Sequence, residues 1–301
     1  MARHSPHHRE APVISELTPI HDAVDGGLSA GRVEGWIDED ACIAYARSTD
    51  DPNEAYEQGR AVPLLLTAAL MHASFEENWR RLDWSSITNA GNSVHASTDV
   101  HVHRHPTPGM AVSWDVTFHS AVQTTAGVLL TQKQSLSTVE GDPLLDVYWS
   151  SIWKAATIDP ECGPSLVPHV FPEAARERPI GTYTKYIEAD QGFRFGGASG
   201  DRVGHAIDDM QARSEGFKGK ILQGMCTLAI CSGGVIAQAA GGDPNRLRRF
   251  AGRLARPTYP KQDIRVEMFD AGRTDDGGRI VVFEALQGDI AVIKHGWAVI
   301  D

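Results

Sequence analysis

The chain has 301 residues, 28 Lys and Arg against 39 Asp and Glu, a formal net charge of −11 and 42% apolar residues. That length allows one large domain or two small ones, the acidic balance excludes a broad nucleic-acid surface, and the apolar share is ordinary for a globular protein. No apolar run is long enough to span a bilayer, because the longest, Ala61–Met71, is interrupted by Pro63 and Thr67.

The opening MARHSPHHRE lacks the apolar core of a signal peptide, so a cytoplasmic location is expected. Cys42, Cys162, Cys226 and Cys231 form no Cys-x-x-Cys pair and read as free thiols in a reducing compartment. Residues 1–30 hold histidines, prolines and the Gly26-Gly27 pair, and read as a loosely packed N-terminal arm. Arg32–Ile37 reads as a strand. Asp38–Ala46 reads as a helix with acids in its first turn, and Ser48–Tyr56 as a loop. Val62–Leu82 reads as a helix with Leu65, Leu66, Ala69, Leu70 and Ala73 on its apolar side. Alternation then predicts strands at Val94–His105, Val112–Val122, Val128–Val139 and Val147–Trp153.

Asp159–Pro179 carries five prolines and is expected to be an extended linker. Beyond it the order of the first half returns. Thr182–Ile187 is a strand, His205–Ser214 a short helix and Gly224–Ala239 a long helix. Strands follow near Arg248–Leu254, Asp263–Asp270, Ile280–Gln287 and Ile290–Val299. Such an internal repeat predicts an α+β double hotdog, in which each half wraps a curved antiparallel sheet around a helix. The boundaries expected are an arm at 1–30, a first repeat at 31–157, a linker at 158–180 and a second repeat at 181–301.

The stretch GDRVGHAIDDMQARSEGFKGKILQGMCTLAI, Gly200–Ile230, holds an acid, an imidazole and a glycine-opened helix start. Those are the parts of a proton-transfer site with an oxyanion hole, since a helix start leaves backbone N–H groups unpaired. Gly200-Asp201, Asp208, Ala212, Gly216-Phe217, Ile221-Leu222 and Gly224-Met225-Cys226-Thr227 match, without a gap, the signature of MaoC-like hydratases. The chain thus resembles the MaoC-like dehydratase and (R)-specific enoyl-CoA hydratase family over most of Arg32–Asp301, although only Gly200–Thr227 is specific. The resemblance implies a double hotdog acting on acyl-CoA or acyl-carrier thioesters. Four positions depart from it. Val203-Gly204 replace an Asn-Pro pair, Ala206 takes the slot of the motif histidine, and Gln223 replaces a histidine. His205 stands one position early, a step that turns a helical side chain by about 100°.

Asp201 and His205 are the candidate catalytic residues implied by the resemblance. A capping role is the alternative for Asp201, and a structural role the alternative for His205. Gly224 is the candidate oxyanion donor, with close helix packing as a compatible role. Gln223, Met225 and Phe217 are the accompanying candidates for substrate contact. Asp208 and Asp209 are neighbours and point apart on a helix, so they read as solvated helix-start acids. His101, His103 and His105 share a strand face near His95, and they read as a polar face, with no metal assigned. Arg246, Arg248, Arg249, Arg253 and Arg256 cluster, and Arg249 and Arg253 are candidates for CoA phosphates.

Reversible hydration of a trans-2-enoyl thioester to a (3R)-hydroxyacyl thioester is the expected reaction, without metal or redox cofactor. A hotdog thioesterase, or a binding or partner subunit with a decayed site, is the alternative. No nucleic-acid or membrane partner is expected; a homodimer or a hotdog partner protein is.

Overall fold

The computed structural model describes residues 17–91, 93–167 and 169–301. The first half runs β1 (Thr18–Pro19), α1 (Ile20–Asp25), β2 (Val33–Trp36), α2 (Glu39–Ser48), α3 (Glu54–Glu57), α4 (Leu66–Leu70), α5 (His72–Arg81), β3 (Leu82–Asp83), β4 (Ser93–Val102), β5 (Ala111–Thr124), β6 (Gly127–Thr138) and β7 (Pro143–Lys154). The second runs β8 (Pro179–Ile187), α6 (Gln191–Ser199), α7 (Gly204–Ile207), α8 (Asp209–Ser214), α9 (Gly224–Ala239), β9 (Leu247–Leu254), β10 (Gln262–Arg273), β11 (Arg279–Gln287) and β12 (Ile290–Ile300).

Ten strands form one sheet in the order β2-β5-β6-β7-β4-β9-β12-β11-β10-β8. Read outward from the central β4–β9 pair, both halves have the same order, so the two repeats are related as a double hotdog. The seam is antiparallel, with Asp99 opposite Ala251 and His101 opposite Arg249. Across it Arg249 holds Asp99 in a fork, Nε to Oδ1 at 3.0 Å and Nη2 to Oδ2 at 2.6 Å. Burial alone would raise the Asp99 carboxyl, but hydrogen bonds from His101 and Arg249 outweigh it and hold the group below the ordinary carboxylate range.

The sequence dictates the two helix layers locally. Asp38 caps α2 by accepting from the Asp40 N–H at 3.0 Å, and Cys42, Tyr45 and Ala46 put its apolar face inward. Gly224–Ala239 is apolar or small almost throughout, and 11 of its residues are buried, as a helix apolar on all faces must be. Its small side chains let partners approach. A Cβ at Gly233 would stand 2.7 Å from Asp51 Oδ2, and one at Gly234 2.8 Å from Tyr183. The acid loop after α2 therefore leans on the helix of the other half. The Asp201 loop does the same in reverse.

Several expectations need correction. The helix expected from Val62 begins at Leu66, because Pro63–Leu65 make a turn closed by the Leu66 N–H on the Pro63 carbonyl. It is also divided into α4 and α5 at Met71. Asn53 caps α3 inside the expected loop. The arm is not loose where it is described. Ile20 and Ala23 are fully buried against Leu82, Phe118 and Leu130. Residues 1–16, with the first histidines, lie outside the described residues. The proline-rich segment packs over the second half, burying Phe171 and Ala175 on Val282, with a short 3-10 turn at Glu173–Glu177.

Candidate active site

The site begins with α6, a helix that neither alternation nor the motif predicts. Gly192 and Gly196 lie one turn apart on it and share a face. A Cβ at Gly192 would lie 2.6 Å from the Ala206 carbonyl oxygen, and one at Gly196 2.9 Å from that of Asp201. Only glycine lets the Asp201–Ala206 loop lie that close. Gly200, at φ +81°, closes α6 in the left-handed conformation and turns the chain into Asp201.

Gln223 fixes the loop from the other side. Its Nε2 donates to the Asp201 carbonyl and to the Gly192 carbonyl, each at 2.9 Å, and the residue is 2% exposed. The residue in the histidine slot is thus a backbone clamp. Next to it Gly224 opens α9. A Cβ there would stand 2.7 Å from His95 Nδ1 and 2.9 Å from Leu254 Cδ1. Close packing accounts for the glycine, and it brings first-half β4 onto the helix start.

Asp201 faces a small cavity between the halves. Its walls include Tyr45, Ala68, His72, Trp149, Phe195 and Met225. The cavity volume is about 10 Å³, room for one water and too little for an acyl chain. Burial pushes the Asp201 carboxyl above its ordinary range, against the opposing influence of His72, the Val203 N–H and His205. Met225 is 5% exposed and accepts from Thr98 Oγ1 through its sulfur at 3.5 Å. Tyr45 is 1% exposed, and its hydroxyl has no hydrogen-bond partner among the described residues.

His95 continues this wall. It stacks flat on Trp149, centroids 4.0 Å apart. Its Nε2 lies 2.8 Å from Thr98 Oγ1 and 3.2 Å from the Ser97 carbonyl, which only accepts, so Nε2 carries the proton and Nδ1 is bare. Burial pushes this imidazole down to about 3, so it is neutral at physiological pH.

The other expected residues are placed as follows. His205 Nδ1 lies 2.7 Å from Glu215 Oε2, with its ring edge-on to Phe217 at 5.5 Å; neither residue lines the Asp201 cavity. Asp208 caps α8, accepting from the N–H groups of Met210 and Gln211, and Asp209 pairs with Arg213. His101 lies on Asp99 and His103 on Asp146, two separate carboxylates. Arg249 is committed to Asp99, and Arg248 to Asp276 and Asp301. Arg253 is exposed and has no ion-pair partner among the described residues. Sequence reading missed His72, Tyr45 and Trp149. The signal for His72 was present: Leu65, Ala68, Ala69 and His72 follow helical spacing, placing one histidine on an apolar face.

Residues 171–291 match the family model of the MaoC like domain. The chain is 34% identical over 85 residues to a probable enoyl-CoA hydratase 2 of Dictyostelium discoideum, a match covering 28% of this chain and 29% of that relative. The matched stretch thus spans under a third of the relative's own length. Among solved structures, a MaoC-like dehydratase from Phytophthora capsici superposes with a TM-score of 0.75 at 18% identity, covering 93% of this chain and 98% of the other. Full-length peroxisomal multifunctional enzyme type 2 from Drosophila melanogaster gives 0.72 at 17% identity, covering 90% and 48%. At these identities the superpositions speak for the fold, a double hotdog throughout. Residues 171–291 are thus similar to the MaoC like domain, and the Gly200–Thr227 motif and the double-hotdog fold agree with that similarity.

Proposed function

We propose that this protein is a hydro-lyase that adds water reversibly to trans-2-enoyl thioesters, giving (3R)-hydroxyacyl thioesters. The observation that carries the reading is Asp201, a carboxyl raised by burial, lining a one-water cavity whose wall also includes Met225 from the first turn of α9. Hydration needs a group that gives a proton to C2, a group that takes one from water, and donors for the thioester oxygen. Asp201 suits proton donation because burial favours its protonated form. The N–H groups at Gly224 would receive the oxygen. Gln223 would act indirectly, by fixing the Asp201 backbone.

The thioester would be CoA or a carrier-bound pantetheine. Arg253 is the exposed cation of the β9 cluster that supports phosphate contact, whereas the fork of Arg249 to Asp99 removes that residue from the role. The reaction transfers no electrons, so no redox cofactor enters it. His205 would act in proton transfer only if its ring left Glu215. The kinship to enoyl-CoA hydratase 2 supports the same substrate class. Four buried free thiols support a reducing compartment such as the cytoplasm. Among the described residues no helix is long and apolar enough to cross a membrane. Association through a copy of this chain or a related hotdog protein remains part of the proposal.

The test is incubation of the full chain with short and long trans-2-enoyl-CoA, following loss of the conjugated thioester absorbance and the chirality of the product. A (3R)-hydroxyacyl product supports the proposal. Release of free CoA identifies a thioesterase instead, and binding without turnover identifies a non-catalytic subunit.

A further inference from the structure

We propose that His72, carried by the first half, is the imidazole partner of Asp201, and that the pair acts on one water held between them; this deepens the hydratase reading and rests on it. The motif slot holds Ala206, a methyl group 4% exposed, which moves no proton. His205, next to it, is engaged with Glu215. A site of this kind still needs a second proton carrier, and the fold supplies one from across the interface.

Each acid loop faces the helix of the opposite repeat. Asp51 leans on α9, and Asp201 faces Ala68 and His72 at the junction of α4 and α5. His72 and Asp201 line the same cavity, whose volume of about 10 Å³ suits a single water. A buried water needs two to four polar partners. The Asp201 carboxyl, the His72 ring and the unpartnered Tyr45 hydroxyl are the groups available there. His72 is also held in orientation. Its Nδ1 lies 3.9 Å from Glu76 Oε1, one helical turn on and beyond hydrogen-bond distance, so both ring nitrogens are open to proton exchange. Phe75, stacked at 5.8 Å, and Trp149, edge-on at 6.4 Å, confine the ring. Among the influences on the Asp201 carboxyl, the charge of His72 opposes burial most strongly.

In the form of the pair whose one shared proton sits on Asp201, a water O–H bond breaks, its proton passes to the His72 ring, and its oxygen bonds to C3 of the enoyl group. The C2=C3 electron pair moves to C2 and the thioester oxygen, and protonated Asp201 gives its proton to C2. Proton transfer from the imidazolium to the carboxylate through the next water resets the pair.

The experiment compares the full chain with His72→Gln and His205→Ala. With trans-2-enoyl-CoA, His72→Gln should lower kcat by at least about 100-fold and remove one limb of the pH–rate profile. KM should change by no more than about threefold, and His205→Ala should retain turnover within about threefold. Full turnover in His72→Gln, or an equal loss in His205→Ala, overturns the assignment. The Asp201 carboxyl is followed in parallel by carbon-13 NMR without substrate. It should titrate higher in His72→Gln than in wild type, and move less in His205→Ala. A carboxyl unmoved by His72→Gln overturns the pairing whatever the turnover. A wild type that hydrates nothing while this shift appears removes the hydratase reading and leaves the pairing standing.

Discussion

Gln223 Nε2 lies 2.9 Å from the Asp201 carbonyl oxygen and 2.9 Å from that of Gly192. One side chain therefore ties the acid loop to α6 and to the start of α9. A histidine occupies this position in the family motif, and the amide here does mechanical work that needs no charge.

Replacement of Gln223 by Ala removes both donations, one to a carbonyl within α6 and one to the part-buried Asp201 carbonyl. Each such loss costs about 1–3 kcal/mol, so the melting temperature falls. Freed from the clamp, Asp201 is expected to lose kcat by about 10–100-fold, the scale of a misplaced catalytic group. Saturated acyl-CoA binding should change little. Calorimetry and steady-state kinetics on Gln223→Ala check both.

The Asp99–Arg249 fork pins the two repeats at the seam. Arg249→Ala leaves the buried Asp99 with His101 as its remaining side-chain partner and should cost up to about 3–5 kcal/mol, whereas Arg253→Ala should leave stability unchanged and weaken CoA binding. The pair also fixes an acid dependence. The folded Asp99 carboxyl sits below its ordinary value, so its contribution is fully present above the unfolded value of about 3.9 and is lost as pH falls through the folded one. Thermal melts of wild type and Asp99→Asn should therefore differ most near neutrality and converge in acid.

Met225 closes the cavity over Asp201 and is held by Thr98. The present volume admits a water and no acyl chain, so the proposed thioester would require a wall residue to move. Met is the flexible wall residue. Met225→Ala should lower KM for long-chain enoyl-CoA more than for short-chain substrates, at a stability cost of about 2–5 kcal/mol. Equal effects on both substrates would point to a different wall.

Much of the fold was legible. The period-2 strands and the repeated element order stood in the sequence, because half-buried strands must alternate and each repeat must bury the same face. α6 was hidden because QGFRFGGAS has three glycines and weak helix propensity; its helical state is set by contact with the Asp201 loop. Of the candidates that the ungapped motif points to, Asp201 and Met225 line the cavity, whereas Gly224 lies outside it, packed on His95 and Leu254. Tyr45 and Trp149 are not legible, and helical spacing marks His72 without linking it to Asp201, since all three come from the other repeat and meet Asp201 only through the exchange of loops between halves. The position of His205 on Glu215 depends on the local turn, which spacing does not fix.

The most direct measurement is enoyl-CoA hydration by wild type and Asp201→Asn, with saturated acyl-CoA binding measured alongside. Burial raises the Asp201 carboxyl, so its stabilising contribution is present below the unfolded value and lost as pH rises through the folded one. Asp201→Asn should therefore be at least as stable as wild type at neutral pH and bind the saturated thioester, while turnover falls by at least about 100-fold. Wild-type hydration that survives in a folded, binding-competent Asp201→Asn would contradict the placement of the chemistry at Asp201.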